Sequence, residues 1–241
     1  MDGRSSLPVS DSRRIVILGK TGVGKSSLVN TIFGEQRLTI GHSAISETSR
    51  CQETTRLVAG RSTTLIDTPG LFDTSRSEPD LMAEVCRSVT AFPPGPHAFL
   101  LVFKVERFTQ HEQDVVLKIT RYFSEEVFKY ATLVFTHGDE LPEGETVERF
   151  VLGNALAREL VARCGGRCHV IDNRYWRSGA RLEYRSNRIR VAALLNTIDE
   201  MMEANGGECY TNQALLFTSN LLFGMRSIGA LFERLFNDQN E

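Results

Sequence analysis

The stretch Gly19-Lys20-Thr21-Gly22-Val23-Gly24-Lys25-Ser26 decides the predicted fold of this 241-residue chain. Residues 14–18 (RIVIL) precede it and predict a buried strand, and residues 25–33 predict a short helix that ends at Gly34. A loop of this spacing between a strand and a helix matches the G-x-x-x-x-G-K-[ST] pattern. Its glycines let the backbone curl until successive N–H groups face phosphate oxygens, and the helix N-terminus adds a partial positive charge. The sequence therefore predicts a phosphate-binding loop.

Two side chains of this loop and one downstream acid have predicted roles. The Lys25 ammonium can reach the β- and γ-phosphates of a nucleotide, and the Ser26 hydroxyl can ligate Mg²⁺. At the end of the next predicted parallel strand, Asp67-Thr68-Pro69-Gly70 provides a carboxylate that would meet Mg²⁺ through water and a Gly70 N–H that can contact the γ-phosphate. The predicted phosphate-binding residues are Gly19, Lys20, Thr21, Gly22, Val23, Gly24, Lys25, Ser26, Ser27 and Gly70.

Composition excludes several classes of function. The chain has 41% hydrophobic and 24% charged residues, and 28 Lys and Arg against 30 Asp and Glu leave a net charge of −2. This balance gives no basic excess that would favour nucleic acid, and nucleic acid is not expected as a partner. The longest apolar run near the middle, 98–103, is too short to span a membrane, and residues 1–12 lack the apolar core of a signal peptide. Five scattered cysteines fit reduced thiols, so a soluble, cytoplasmic protein is expected.

Strands and helices alternate along residues 13–205, which predicts an α/β domain with a mostly parallel six-stranded sheet between helices. Residues 51–58 and 62–66 predict a hairpin, and Thr109 with Glu112 has the spacing of a helix capping box. The other predicted helices are 79–91, 146–163 and 191–202, and the other predicted strands are 98–105, 131–135 and 167–171.

A carboxylate that can read a guanine base follows the strand at 131–135, in the stretch Thr136-His137-Gly138-Asp139. An ionised Asp139 can accept hydrogen bonds from N1–H and from the exocyclic amine of guanine, a pair that adenine does not offer. The usual guanine motif is Asn-Lys-x-Asp, and here threonine and histidine replace its first two residues. From the residues alone, Asp139 is explained equally well as a solvated loop acid beside Glu140.

Six segments together resemble the AIG-type GTPases known as GIMAP proteins. They are GKTGVGKSS (19–27), SETSRC (46–51), DTPGLFDT (67–74), GPHAFLLVFKVERFTQHEQ (95–113), FTHGDEL (135–141) and CGGRCHVIDNR (164–174). The resemblance covers about residues 13–202, Cys209-Tyr210-Thr211-Asn212 is also similar, and the long segment after Pro96 is specific to this family among GTPases. In that family a Thr-x-x-Asp guanine motif is normal, which favours Asp139 as the guanine reader.

The resemblance implies a Ras-like phosphate-loop GTPase domain that binds GTP or GDP with Mg²⁺. Thr48 matches the switch threonine that senses Mg²⁺ and the γ-phosphate. The implied metal ligands are Ser26, Thr48 and, through water, Asp67. The implied guanine-binding residues are Thr136, His137, Asp139 and Asn173, with the His137 ring against the base plane. Residues 35–50 and 67–80 would be the two switches that respond to the γ-phosphate.

Hydrolysis by a single protomer is expected to be slow. Many small GTPases place a water-orienting Gln directly after Asp-x-x-Gly, where this chain has Leu71 followed by Phe72. An apolar side chain cannot orient the attacking water, so we expect unaided turnover on the order of 10⁻⁴ s⁻¹ or below.

The resemblance also implies a homodimer or oligomer that assembles through its GTP-bound domains. Arg107 matches a position from which the family can offer an arginine across such a dimer, and a surface arginine beside a helix cap explains it equally well. The implied catalytic residues are Arg107 in trans, Thr48 and Lys25. The alternative is a scaffold that holds GTP and barely hydrolyses it.

Residues outside 13–205 are expected to form a flexible tail (1–12) and a C-terminal helical extension (206–241). The apolar positions of an amphipathic helix in this extension are Phe217, Leu221, Met225, Ile228, Phe232 and Leu235. Three interpretations are open for residues 210–236: packing back on the domain in a regulatory contact, pairing with another protomer, or peripheral contact with an intracellular membrane. Two Arg and one Glu on the polar face make electrostatic membrane attraction weak, which favours packing against protein.

Overall fold

The computed structural model describes residues 12–34, 51–71, 77–90, 94–176 and 184–211. The expectations for the tail, for Thr48 and its switch, and for the C-terminal amphipathic helix fall outside these ranges. The elements are β1 Ser12–Gly19, α1 Lys25–Phe33, β2 Gln52–Val58, β3 Arg61–Asp67, α2 Glu78–Thr90, β4 Ala98–Lys104, α3 Gln110–Phe123, β5 Ala131–Thr136, α4 Val147–Leu152, α5 Ala155–Arg163, β6 Cys168–Val170 and α6 Asn187–Ala204.

These six strands form one sheet in the order β2-β3-β1-β4-β5-β6. Strand β2 runs antiparallel to β3 as the predicted hairpin, and every other neighbouring pair is parallel. The mostly parallel six-stranded sheet predicted from the sequence is confirmed. Because parallel strands end at the same edge, the loops that follow β1, β3, β4, β5 and β6 meet at one edge of the sheet.

Apolar layers cover both faces of this sheet. Helices α1 and α6 cover one face, where Leu28 and Ile198 pack with Ile15 of the central strand. Helices α2, α3 and α5 cover the other face, where Ile119 and Leu160 belong to a second apolar cluster. Burial on both sides explains why β1, β4 and β5 read as nearly continuous apolar runs in the sequence.

Helix α3 begins at the capping box that the sequence predicts. The Thr109 hydroxyl accepts from the His111 N–H at 3.3 Å, and the Glu112 carboxylate accepts from the Thr109 N–H at 2.8 Å. These bonds satisfy donors that would otherwise be unpaired at the helix N-terminus. The cap matters for the site because α3 starts at the end of the loop that follows β4.

The single helix predicted over 146–163 is wrong, because α4 and α5 divide this range. Asn154 lies between them, and its side-chain oxygen accepts from the N–H groups of Leu156 and Ala157 at 3.0 and 3.1 Å. A side chain that caps a new N-terminus offers the backbone an alternative to a continuous helix. Helix α6 also begins earlier than predicted, at Asn187, and β6 is shorter than predicted.

The chain returns to the sheet after α6. Tyr210 is 2% exposed, its N–H donates to the Pro96 carbonyl at 2.8 Å, and its hydroxyl donates to the Phe123 carbonyl. Its ring meets the ring of Phe99 edge-on, with centroids 5.1 Å apart. Tyr210 therefore anchors the chain after α6 to the domain, at the edge opposite the phosphate loop. Within the described part of the chain, no helix has both the length and the hydropathy needed to cross a bilayer.

Candidate nucleotide-binding site

The predicted phosphate loop lies at the carboxyl end of β1, between β3 and β4 in the sheet. Gly24, the residue before α1, has a φ of 86°, a left-handed conformation that glycine adopts without steric cost. The backbone therefore turns directly from the loop into the N-terminus of α1. A helix N-terminus reached in this way presents N–H groups and a partial positive charge to an anion.

The Lys25 side chain turns back over the loop from the start of α1. Its ammonium donates to the carbonyl oxygens of Gly19 at 3.1 Å and Lys20 at 3.0 Å, and the residue is 7% exposed. The charge is therefore held within the curl of the loop rather than in solvent. An incoming phosphate would meet a cation whose position is already defined.

Ser26 and Asp67 meet beside the loop, where α1 begins and β3 ends. The Ser26 hydroxyl donates to Asp67 Oδ2 at 2.5 Å. Asp67 is 1% exposed, and its Oδ1 has no hydrogen-bond partner among the described residues. Burial raises the pKa of Asp67, while the Lys25 charge and the Ser26 hydrogen bond oppose that rise. A hydroxyl beside an unsatisfied carboxylate oxygen is a hard oxygen donor set, and it fits Mg²⁺.

Gly70 packs against the phosphate loop more closely than any side chain would permit. A Cβ atom at this position would lie 2.0 Å from Thr21 Oγ1 and 2.5 Å from the Thr21 nitrogen. The next residue, Leu71, donates its N–H to the Gly19 carbonyl at 3.1 Å. The segment after β3 is therefore fastened to the loop through its backbone, with the predicted γ-phosphate contact at Gly70 beside it.

Thr136 joins the phosphate loop to the turn after β5 that contains Asp139, called here the base-reading turn. Its buried hydroxyl lies 2.7 Å from the Val23 carbonyl and 3.1 Å from the Phe103 carbonyl. His137 follows with a φ of 58°, a left-handed conformation that turns the chain after β5, and its Nδ1 lies 3.0 Å from the Thr136 hydroxyl. The threonine thus links two segments that are 113 residues apart in the chain.

Asn173 also lies beside the phosphate loop. Its amide nitrogen donates to the Gly24 carbonyl at 3.2 Å, and its amide oxygen accepts from the Thr31 hydroxyl of α1 at 2.9 Å. The structure therefore brings the predicted base-contacting residue to the site, where both ends of its amide contact α1 or the residue that precedes it. Its contact with a base stays a prediction.

The Asp139 turn is held by a residue that sequence reasoning did not assign. The Asp139 N–H donates to Asp172 Oδ2 at 3.0 Å. Asp172 is fully buried, and its Oδ1 accepts from the N–H groups of Arg174 at 2.6 Å and Tyr175 at 2.5 Å. The signal that could have found it is a carboxylate just after the last strand, directly before Asn173.

The Asp172 carboxylate also acts on the carboxyl group of Asp139. Hydrogen bonding of a protonated Asp139 carboxyl to Asp172, together with partial desolvation and the Asp172 charge, raises the pKa of Asp139 to about 6. Burial opposes ionisation of Asp172, but hydrogen bonds from Asp139, Tyr175 and Arg174 outweigh it and hold the pKa of Asp172 below its usual value. As the pH falls, Asp139 is therefore the member of the pair that takes up a proton first.

Two residues tied to predicted hydrolysis differ in exposure. Arg107 is exposed in the loop between β4 and α3, and the cap of α3 is Thr109 rather than this arginine. Leu71 is 1% exposed and belongs to the apolar core. Thr48, the third residue in the predicted mechanism, lies outside the described ranges.

Lys118 of α3 fastens both described flanks of the predicted second switch, and sequence reasoning missed it. Its ammonium donates to the Leu71 carbonyl at 3.3 Å and pairs with the Glu78 carboxylate at 3.3 Å. The Tyr122 hydroxyl donates to the same carboxylate at 2.8 Å. Lysine and tyrosine four residues apart lie on one face of a helix, but only the fold shows what that face meets.

A six-stranded sheet with a glycine-rich loop after its central strand and a buried acid at the end of the neighbouring strand matches the fold of phosphate-loop GTPases. The AIG1 family model matches residues 13–221, so the chain belongs to the AIG1 family. The match extends beyond the boundary at 205 that the sequence pattern predicts, and it includes Tyr210.

Curated relatives from Arabidopsis thaliana share the domain. The chain is 34% identical over 208 residues to immune-associated nucleotide-binding protein 7, covering 83% of this chain and 64% of that protein. It is 31% identical over 206 residues to immune-associated nucleotide-binding protein 9, covering 83% of this chain and 58% of that protein. The chain thus spans less than two thirds of the length of these two relatives.

Solved structures of Toc33 from Arabidopsis thaliana share the fold. The complex with GDP and Mg²⁺ matches with a TM-score of 0.63 at 22% identity, covering 81% of this chain and 85% of that chain. The complex with Mg²⁺ and GMPPNP matches equally well. Another matching structure, with a TM-score of 0.64, concerns the chloroplast translocon components atToc33 and psToc159. Dimerization is important for the GTPase activity of those two proteins.

Proposed function

We propose that this chain binds GTP and GDP with Mg²⁺ and changes its assembly state with the nucleotide bound. The observation that carries the proposal is the 2.7 Å contact between the Thr136 hydroxyl and the Val23 carbonyl. It holds the turn of Asp139 against the phosphate loop, so one nucleotide can place its phosphates at Lys25 and its base at Asp139. Membership of the AIG1 family and the nucleotide complexes of Toc33 support the proposal.

Guanine selectivity follows from the chemistry of Asp139. An ionised carboxylate offers only acceptors, and guanine presents two donors, N1–H and the 2-amino group, to one such carboxylate. Adenine has an unprotonated N1 and no 2-amino group, so it would leave the carboxylate unpaired. An unpaired charge beside a bound ligand costs on the order of several kcal/mol.

On the phosphate side, Lys25 and the loop N–H groups would bind the β- and γ-phosphates. Ser26 and Asp67 would hold Mg²⁺, with Thr48 added in the GTP-bound state. When bound, the metal neutralises charge on the β- and γ-phosphates. The Gly70 N–H would contact the γ-phosphate, so the segment after β3 would respond to its loss.

Hydrolysis in this proposal depends on a second copy of the chain. The Leu71 side chain is buried in the core and is apolar, so it cannot orient the attacking water. Arg107 is exposed beside the site and could approach the phosphates of a partner protomer. An arginine supplied in trans can raise phosphoryl-transfer rates by about 10³–10⁵-fold, and the dimerization-dependent GTPase activity of atToc33 and psToc159 supports this arrangement.

The second candidate function is a GTP-holding scaffold with essentially no hydrolysis. The burial of Leu71 favours it, because no side chain in the usual water-orienting position can act on water. The two candidates make the same prediction for binding and opposite predictions for turnover.

We propose that the segment that begins at Tyr210 makes its regulatory contact with protein. The burial of Tyr210 against Pro96 and Phe123 supports this, since it ties the start of that segment to the domain.

Base selectivity tests the binding function. With a fluorescent GDP probe and Mg²⁺, GDP should displace the probe far better than ADP. Asp139→Asn should lower the affinity for GDP by about 100-fold. It should raise the affinity for XDP, because xanthine carries an oxygen in place of the 2-amino group and an amide N–H can donate to that oxygen. Equal displacement by GDP and ADP would refute the guanine assignment.

Turnover across a protein concentration series separates the two candidate functions. A dimer-completed GTPase should show a rate per protomer that rises with concentration and falls by about 10³-fold in Arg107→Ala. Arg121→Ala, which removes an exposed arginine from the last turn of α3, is the matched control. A rate per protomer that changes neither with protein concentration nor in Arg107→Ala would favour the scaffold.

A further inference from the structure

Asp172 holds the base-reading turn at its backbone. Asp172 Oδ2 accepts a hydrogen bond from the Asp139 N–H at 3.0 Å. Asp172 Oδ1 accepts from the N–H groups of Arg174 and Tyr175. A fully buried carboxylate with three backbone donors is fixed in position and in charge. One side chain therefore joins the turn after β5 to the turn after β6.

The backbone of Asp172 is fixed as well. The Asn187 side chain at the start of α6 donates to the Asp172 carbonyl at 2.5 Å and accepts from its N–H at 3.2 Å. The Asp172 backbone therefore cannot move away from Asp139 without breaking a reciprocal pair of buried hydrogen bonds. Its carboxylate cannot turn away without losing the N–H groups of Arg174 and Tyr175. Asp139 itself is exposed, so it is the member of the pair that can leave and turn to a ligand.

The charges around Asp139 come from few groups. Asp172 and Glu140 are the carboxylates that act on it, and Asp172 has the larger effect. The other titratable or charged residues in the two turns are His137, Arg174 and Tyr175. In the phosphate loop, the Lys25 ammonium is turned to the loop carbonyls and Lys20 pairs with Glu112 at 3.8 Å. Asp172 is thus the one neighbour among these whose side chain hydrogen-bonds Asp139, at its backbone N–H.

We propose that Asp172 is a positioning residue for guanine, which orients the Asp139 turn through its backbone N–H and keeps a second carboxylate beside the one that meets the base. This inference rests on the proposed binding of guanine at Asp139. A protonated Asp139 carboxyl carries one donor and cannot accept from both guanine N–H groups. On binding, the proton of Asp139 passes to solvent and the carboxylate then accepts both donors, while Asp172 keeps its backbone bonds.

This arrangement makes guanine affinity depend on pH. Since the pKa of Asp139 is raised to about 6 in the free protein, GDP affinity should fall by about tenfold per pH unit below that value. Protons compete with the base for the same carboxylate. The terminal phosphate of GDP titrates in the same range, so variants must be compared with the same nucleotide.

The test compares the pH profile of GDP affinity in the wild type, Asp172→Asn and Glu140→Gln, from about pH 5 to pH 8. Asp172→Asn should flatten the profile below about pH 6, because a neutral amide neither repels a carboxylate nor shares its proton. It should also weaken GDP by about threefold to tenfold near pH 7.5, because it cannot replace all three accepting contacts. Glu140→Gln removes the exposed neighbouring charge and should keep the profile of the wild type.

A second measurement is made on the wild type, needs no ligand and does not require Asp172→Asn to fold. Carbon-13 NMR of the wild-type carboxyl groups, with Asp139→Asn to assign the signal, should show Asp139 titrating near 6 without nucleotide. Titration near the usual aspartate value of about 4 would overturn the inference while leaving GDP binding intact. An Asp172→Asn profile identical to that of the wild type would do the same. Absence of GDP binding at every pH would overturn the proposed function itself.

Discussion

The phosphate half of the site and its base half are built in different ways. In the phosphate half, residues 19–27 run without interruption from the end of β1 into the first turn of α1, where backbone groups would do most of the binding. In the base half, Asp139 depends on Asp172, 33 residues away, and Thr136 depends on Val23, 113 residues away. A contiguous loop can be recognised from spacing, whereas a network of side chains from distant segments exists only once the sheet has formed. The two halves should therefore respond differently to mutation.

The largest expected effect lies in the phosphate half, at Lys25. Lys25→Met should weaken GDP and GTP by about 100-fold or more, because hydrogen bonds from a cation to phosphate are worth about 1.5–3 kcal/mol each. Lys129→Met is the matched control, since Lys129 lies just before β5, at the opposite edge of the sheet from the phosphate loop, and should change affinity by less than about threefold. Titration with a fluorescent GDP analogue measures both. Equal losses would mean that net charge, not the placement of Lys25, binds phosphate.

A smaller effect is expected where the second switch meets the loop. Gly70→Ala would place a methyl group 2.0 Å from Thr21 Oγ1, so the loop or the switch must move. We expect GTP-analogue affinity to fall by about tenfold and GDP affinity by less, because only GTP has the phosphate that Gly70 would contact. Gly153→Ala adds a methyl group with nothing nearer than 3.4 Å and should leave both affinities unchanged. A loss that is equal for the two nucleotides would argue against the γ-phosphate contact.

The smallest expected effect follows from removing the hydrogen bond between Thr136 and Val23, which joins the base half of the site to its phosphate half. Thr136→Val removes the hydroxyl bonded to Val23 and should lower the free energy of unfolding by about 1–2 kcal/mol and weaken GDP by about threefold to tenfold. Thr132→Val is a matched control on the same strand, since the buried Thr132 hydroxyl has no hydrogen-bond partner among the described residues. Chemical denaturation and GDP titration measure the two effects. An equal loss in Thr132→Val would assign the effect to strand packing.

Much of the fold could be predicted because the relevant interactions are local. Thr109 and Glu112 cap α3 as their spacing predicts, and Ala59 with Gly60 forms the hairpin turn with positive φ values of 50° and 75°. The predicted helix at 146–163 failed because Asn154 caps a new helix with its own side chain, a competition between two local patterns.

The residues that were missed act through distant partners. In the sequence, Asp172 is indistinguishable from any other acidic residue of a loop. Its role appears only when β5 and β6 pair and bring the Asp139 N–H to 3.0 Å from its carboxylate. Lys118 belongs to an ordinary helix face, and its role appears only when α3 lies over the end of β3. No periodicity or spacing encodes such contacts, because the partners are chosen by the packing of the elements.

By itself, the sequence determined the phosphate loop, the alternation of strands and helices, and the acid at the end of β3. These features rest on local backbone preferences and on the burial of apolar runs, both of which can be read from neighbouring residues. Only the tertiary structure decided that Asp67 has a carboxylate oxygen without a partner among the described residues. It also decided that the Asp139 N–H donates to Asp172 and that the Tyr210 N–H donates to Pro96. The physical reason is that burial and hydrogen bonding between distant segments depend on where the sheet brings them.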